Sequence, residues 1–299
     1  MKRVLMIVCA FMVGTILAAE EKPFDPVARL TVMPDAETAA FCASAAARVA
    51  VEGHKDILFL GDSLTDFDRD RNHASMLAYY LEKAHPGAFT VYNYAIGGDF
   101  CKRLCDRMNG RKSYRLEAFA NIWSRSYDWA FVFLGANDTK TSSGNDFKVP
   151  STPPERQEKE MGEIIALLQK HGVSRIILIS PAVANWTRCQ EVAQQRLKTG
   201  KRVSRFGEPK HLEAFAAVCR QLAEKTAGVE FLDLYTPMKA RADVSEMTRD
   251  DGVHLVDKGY RFVACRLFEY LADGGFAAGG QKTRSGCAGC SSTLRQHRC

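Results

Sequence analysis

Residues 58–66 read LFLGDSLTD. An apolar run with the look of a buried strand stops at Gly61, and two residues later the chain offers a serine hydroxyl. Gly, Asp and Ser each favour turns for local backbone reasons, so the stretch has two readings. It is either an ordinary turn or a nucleophile held at the edge of a sheet, and the rest of the chain has to decide between them.

Five short apolar runs stand apart: DILFLG at 56–61, FTVYNYAI at 89–96, WAFVFLG at 129–135, RIILISPAV at 175–183 and VEFLDLY at 229–235. They are nearly continuous in hydrophobicity, as expected of strands covered on both faces. Helical patterns lie between them. ASMLAYYLEKAH follows the first run, and PPERQEKEMGEIIALLQKHG precedes the fourth, with Pro153 and Pro154 at its start and Gly172 at its end. EPKHLEAFAAVCRQLAEKTAG precedes the fifth run, and DKGYRFVACRLFEYLADGG closes the series. Strand and helix in alternation predict an α/β fold, a three-layer α/β/α sandwich around a central parallel sheet of about five strands. In such sheets ligands bind beyond the carboxyl ends of the strands. That places Ser63, Gly97 and Gly98, Asn137 and Asp138, and a basic segment after the fourth run, where chemistry is expected.

Outside this body, residues 1–19 carry Lys2 and Arg3, an apolar stretch and then small residues, the layout of a secretory signal peptide. Removal of this leader leaves no stable membrane span, whereas a retained one would serve as an anchor. Residues 20–55 form an N-terminal extension with one helix, DAETAAFCASAAARVA at 35–50; the main domain is 56–273; and 274–299 is a flexible Cys-containing tail. The formal charge of +6 resides in Lys2, Arg3 and the tail residues Lys282, Arg284, Arg295 and Arg298. The body is therefore neutral and offers no electrostatic footprint for nucleic acid. Export permits disulfides, but the cysteine spacings set no connectivity. Cys101 and Cys105 lie four apart on one expected helix, poorly placed to bond each other, and Cys219 and Cys265 read as small core fillers. Tail residues Cys287, Cys290, His297 and Cys299 lack the spacing of well-attested zinc sites, so no metal or other cofactor is expected.

A serine needs a base to remove its proton and a carboxylate to orient that base. Asp251 and His254 form a D-x-x-H pair, whose members share a face if the segment is a helical turn. The same spacing recurs at Asp70/His73, Glu82/His85 and Glu208/His211. His85 is set aside because it ends a helix running to the amino edge of the sheet. His73 and His211 stay open by position, and read otherwise as solvated helix residues.

Four blocks, GDSL at 61–64, NYAIGGD at 93–99, GAND at 135–138 and DGVH at 251–254, resemble in order the signature blocks of the SGNH, or GDSL, serine hydrolases (esterases and lipases). The resemblance spans about residues 55–273. It implies a flavodoxin-like fold, Ser63 as nucleophile, His254 as general base and then acid, and Asp251 as its orienter. It also implies an oxyanion hole made from the Ser63 and Gly98 amides and the Asn137 side chain. Asp62 and Asp138 read as residues that bond neighbouring backbone. One departure is Asn93-Tyr94-Ala95, where many relatives have N-x-G; it leaves Gly98 in place.

The segment 185–207 carries Arg188, Arg196, Lys198, Lys201, Arg202 and Arg205 against the single acid Glu191. It reads as a mobile lid favouring an anionic or heavily hydroxylated substrate, or else as a solvated helix face. A second insertion at 139–154 reads as a polar wall. The expected activity is that of a secreted (periplasmic or extracellular) carboxylic ester hydrolase removing acetyl-type groups, its partner a small-molecule or carbohydrate ester. A lysophospholipase or thioesterase is the runner-up, and a binding relative without turnover is the reading from another class. Nothing in the sequence sets the oligomeric state.

Overall fold

The structure, a computed structural model, describes residues 24–273. The leader at 1–19 and the tail at 274–299, with Cys287, Cys290, His297 and Cys299, fall outside the described residues. All five expected strands form, as β1 (Lys55–Gly61), β2 (Phe89–Asn93), β3 (Trp129–Phe133), β5 (Arg175–Ile179) and β7 (Val229–Leu232). They make one parallel sheet in the order β2-β1-β3-β5-β7. Two further short strands, β4 (Thr141–Ser142) and β6 (Ser204–Arg205), pair antiparallel apart from it.

The near-continuous hydrophobicity of the strands has the expected cause. Phe59, Phe131, Phe133, Ile177 and Ile179 pack to one face against α1 (Ala36–Ala46), α3 (His73–Ala84) and α9 (Asp257–Asp273). Their neighbours Leu58, Leu60, Val132, Ile176 and Leu178 pack to the other, against α4 (Cys101–Met108), α5 (Pro154–Lys170) and α7 (Pro209–Lys225). Full burial of each such side chain stabilises the fold by about 1.5–3 kcal/mol. Four of the strands end before their apolar runs do. Tyr94, Ala95, Ile96, Leu134 and Leu234 are buried yet outside the ladder, because apolarity reports burial and not strand hydrogen bonding.

Single-turn α2 (Ser63–Asp66) follows β1, α6 (Trp186–Leu197) follows β5, and α8 (Tyr235–Lys239) follows β7. The extension helix α1 packs on α3 and α9, outside the sheet as expected, and the Asp35 carboxylate caps it by accepting from the Thr38 amide. Ahead of it, Val27 bridges antiparallel to Tyr92 and so covers the exposed side of edge strand β2. Cys219 and Cys265 are core residues. Cys101 and Cys105 both lie on α4, and the Cys105 thiol donates to Glu163 at 3.2 Å. Among the described residues no helix is long and apolar enough to cross a membrane.

The strand order matters for function. The chain leaves β1 for β2 on one side and returns to β3 on the other. Connections therefore diverge beyond the carboxyl ends of β1 and β3, and a crevice opens there.

His73, expected to be solvated, is instead fully buried between Phe59, Phe133 and Tyr260 and hydrogen-bonds Thr65 Oγ1 at 3.2 Å. Burial pushes its imidazole down to about 3. The folded state thus refuses a proton that the unfolded chain accepts below its ordinary value of 6.5, so stability falls as pH drops through that window. Urea unfolding between pH 7.5 and pH 4 should show this loss, on the order of a few kcal/mol. In His73→Leu the slope should flatten, while stability at neutral pH drops by about 1–3 kcal/mol from the stranded Thr65 hydroxyl.

Candidate active site

Gly61 ends β1 where no side chain fits: a Cβ there would lie 2.9 Å from the Phe133 carbonyl oxygen and 3.0 Å from Thr65 Oγ1. The glycine lets β1 stay against β3 while the chain folds at once into α2. Asp62 is the N-cap of that turn, its Oδ1 accepting from the Leu64 amide at 2.9 Å. Ser63 is the first residue of the turn and is 6% exposed. The turn is held from below. Asn72 Nδ2 and Asn93 Nδ2 both donate to the Thr65 carbonyl at 2.8 Å.

Residues 251–254 are not a helical turn. They form a loop just before α9 in which Asp251 Oδ1 accepts from the amides of Val253 (2.8 Å) and His254 (3.0 Å). This side-chain-closed turn brings Asp251 Oδ2 within 2.5 Å of His254 Nδ1. The other ring nitrogen, Nε2, lies 2.9 Å from Ser63 Oγ. Burial raises the Asp251 carboxyl, but the bonds from the His254 ring and the two amides outweigh it and hold the group well below the usual carboxylate range. An ionised Asp251 accepts the Nδ1 proton, which leaves the Nε2 lone pair facing the serine.

Gly98 has φ +80°, in the left-handed region that favours glycine. Among the described residues its amide and that of Ser63 make no hydrogen bond, whereas the Gly97 amide is taken by Asp66 Oδ2 at 2.8 Å. Asn137, 6% exposed, gives one Nδ2 proton to Asp62 Oδ2 in a long 3.4 Å bond, leaving the second free. Burial pushes Asp62 up to about 7 against the pull of the Leu64 amide. Asp138 is raised to about 6 by burial, and its Oδ1 accepts from the Cys101 amide at 3.0 Å. Both aspartates hold loops, as the sequence predicted.

Residues 59–262, more than half of the chain, match the GDSL-like lipase/acylhydrolase family. The chain belongs to that family. A bovine (Bos taurus) isoamyl acetate-hydrolyzing esterase 1 homolog is 27% identical over 225 residues, covering 72% of this chain and 80% of its own length. Among solved structures, an acetylxylan esterase of Geobacillus stearothermophilus superposes with a TM-score of 0.53 at 18% identity, over 73% of this chain and 95% of its own. A lipase/acylhydrolase of Enterococcus faecalis gives a TM-score of 0.51 at 19% identity, over 73% and 96%. These structures share the fold. The family match makes this chain an ester-bond hydrolase.

The rival histidines lie elsewhere. His73 is in the core, His85 caps α3 and bonds the Ala46 carbonyl at 2.9 Å, and His211 sits 3.7 Å from Glu208. The basic segment, read as a mobile lid or a solvated helix face, holds α6 and β6, which pairs with β4 from the 139–154 insertion. Several of its cations are engaged. Arg188 bonds the Asp250 carbonyl and Glu191. Arg202 bonds Ser142 Oγ, and Arg205 pairs with Glu208 while lying over Phe147 and Trp186.

Residues that sequence reasoning passed over hold the histidine loop in place. Phe67 stacks on the His254 ring at 4.9 Å, and Arg249 joins the loop to Asp68, which also accepts from Tyr260 at 3.0 Å. Gly252, φ +79°, lies against the start of α6: a Cβ would meet the Asn185 carbonyl oxygen at 2.8 Å and Cys189 Sγ at 2.9 Å. The only signal in the sequence was that Gly252 lies between Asp251 and His254. Gly252→Ala should therefore displace the loop, lowering stability by about 1–3 kcal/mol. It should also reduce hydrolysis of p-nitrophenyl acetate far more than the Km for it changes, as steady-state kinetics and denaturant unfolding together would show.

Proposed function

We propose that the protein is an exported serine esterase that removes acetyl or similarly short acyl groups from carbohydrate through an acyl-enzyme on Ser63. The observation that carries the mechanism is the unbroken hydrogen-bonded series Asp251 Oδ2, His254 Nδ1 and Nε2, Ser63 Oγ, at 2.5 and 2.9 Å. As substrate binds, His254 Nε2 takes the Ser63 proton while Oγ attacks the ester carbonyl carbon, and Asp251 stabilises the imidazolium that forms. Negative charge develops on the former carbonyl oxygen. The unpaired amides of Ser63 and Gly98 and the free Asn137 N–H are the donors available to receive it. Collapse expels the alcohol, which takes the proton from Nε2. A water then repeats the sequence in the acyl-enzyme, releasing the acid and restoring Ser63.

The acyl preference is supported by Phe67. Its ring covers His254, and a Cβ on Gly97 would lie 3.3 Å from Phe67 Cε1, so the aromatic walls the space beside Ser63. The names of the bovine relative and of the acetylxylan esterase share an acetyl ester. The polar insertions around the site suit a hydroxylated alcohol better than a lipid chain. Export rests on the leader sequence at 1–19.

Ser63→Ala and His254→Ala should each lose at least about 10³-fold in kcat on p-nitrophenyl acetate and acetylated oligosaccharides, and Asn137→Ala about 10²–10³-fold. His211→Ala should stay active. A fluorophosphonate probe should label the wild-type chain and leave Ser63→Ala unlabelled. Labelling that persists in Ser63→Ala, or a base role passing to His211, would disprove the assignment.

A further inference from the structure

Next to the two loops that supply Gly98 and Asn137 lies a separate cleft of about 580 Å³, lined by residues of α4 and α5, by Arg111 just beyond α4 and by the segment before α5. Phe100, which lines it, is two residues beyond Gly98, so their Cα atoms are no more than about 7–8 Å apart. Thr152, also lining it, donates its amide to the Asp138 carbonyl at 3.0 Å, one residue from Asn137. Covalent and hydrogen-bonded links thus tie the cleft to the place where the ester carbonyl must sit.

Its chemistry is mixed in a specific way. Four cations line it against two carboxylates. Lys102 and Arg111 are engaged by Asp106, and the Glu163 carboxylate accepts from the Cys105 thiol. Arg156 and Lys159 form no ion pair among the described residues. Glu160, which directly follows Lys159 and is only 6% exposed, has an oxygen, Oε2, without a hydrogen-bond partner. A bare phosphate or sulfate would satisfy the two cations and be repelled by that oxygen. A ligand carrying both a carboxylate and hydroxyl groups satisfies all three. Arg156 offers a planar fork to a carboxylate and Lys159 a point charge. Glu160 Oε2 and the Ser151 hydroxyl can bond sugar hydroxyls, and Phe100 offers apolar surface to a pyranose face.

We infer that this cleft is a substrate subsite for a carboxylate-bearing sugar, a uronic-acid unit neighbouring the acylated residue of an acidic glycan. The inference rests on the carbohydrate reading above and adds which carbohydrate. Of the positive charge that the sequence placed on the 185–207 segment, Arg188, Arg202 and Arg205 are engaged in structure, whereas Arg156 and Lys159 of α5 line the cleft without an ion pair among the described residues.

The test compares an O-acetylated xylo-oligosaccharide bearing a glucuronic-acid branch with its neutral counterpart. Wild-type enzyme should prefer the acidic substrate by about tenfold or more in kcat/KM, with the preference shrinking as salt rises. The double variant Arg156→Gln, Lys159→Gln should equalise the two while leaving p-nitrophenyl acetate hydrolysis unchanged. Equal turnover of both substrates by wild type overturns the subsite. If p-nitrophenyl acetate is cleaved and neither glycan is, the carbohydrate reading fails, and binding decides the subsite separately. Calorimetry of Ser63→Ala with digalacturonate should then show binding that is lost when Arg156→Gln and Lys159→Gln are added. No binding, or inorganic sulfate binding as tightly as digalacturonate, overturns it.

Discussion

Every side chain at the site hangs from the carboxyl edge of one parallel sheet, and that edge exists because β1 and β3 are covered on both faces. Leu58 and Leu60 point to one helical layer and Phe59 to the other, all three fully buried. A strand so enclosed cannot shift register without moving apolar side chains into the wrong layer. The loops beyond it therefore start from fixed points. The hydrogen bond between Ser63 and His254 joins residues 191 positions apart, and it can form only because β1 and the approach to α9 are both anchored to this frame.

Around that anchor the protein spends buried polar groups on loop geometry. Asp62 closes the turn that presents Ser63 and steadies Asn137, at the cost of a carboxyl that burial raises to about 7. Asp138 ties the third block to the start of α4 through the Cys101 amide. Asp99 and Arg107 form an ion pair with no exposed side-chain surface immediately after Gly98, and Arg69 binds the carbonyls of Asn93 and Ala95. Buried charges of this kind seldom add net stability, but breaking one is costly. Their concentration at one edge is what holds donors and ring in register.

The two insertions absent from the strand-and-helix core meet each other. β4 and β6 pair, Arg202 reaches back to Ser142, and α6 braces Gly252 through Asn185 and Cys189. The segment after β5 thus supports the histidine loop directly. Its basic character had pointed to substrate; in the fold Arg188, Arg202 and Arg205 serve structure, and Arg156 and Lys159, without an ion pair among the described residues, belong to α5.

The sequence by itself determined the layers and the position of Ser63. Two-sided burial writes continuous apolar runs, and Gly61, Asp62 and Ser63 carry a turn signature that depends only on neighbours a few residues away. It also marked Asp251 and His254 as a pair, though it took them for a helical turn when the carboxylate closes a loop onto two amides. The resemblance of the four blocks named His254, but the local pattern alone did not, and only the tertiary structure shows which histidine meets the serine. His73, His211 and His254 share one local pattern, and what separates them is whether the ring ends in the core, on a surface helix or at the carboxyl edge. The same holds for Phe67 over His254, Arg249 on Asp68 and Cys189 behind Gly252. Each is a contact between segments far apart in sequence, set by how layers pack and therefore invisible to spacing or composition.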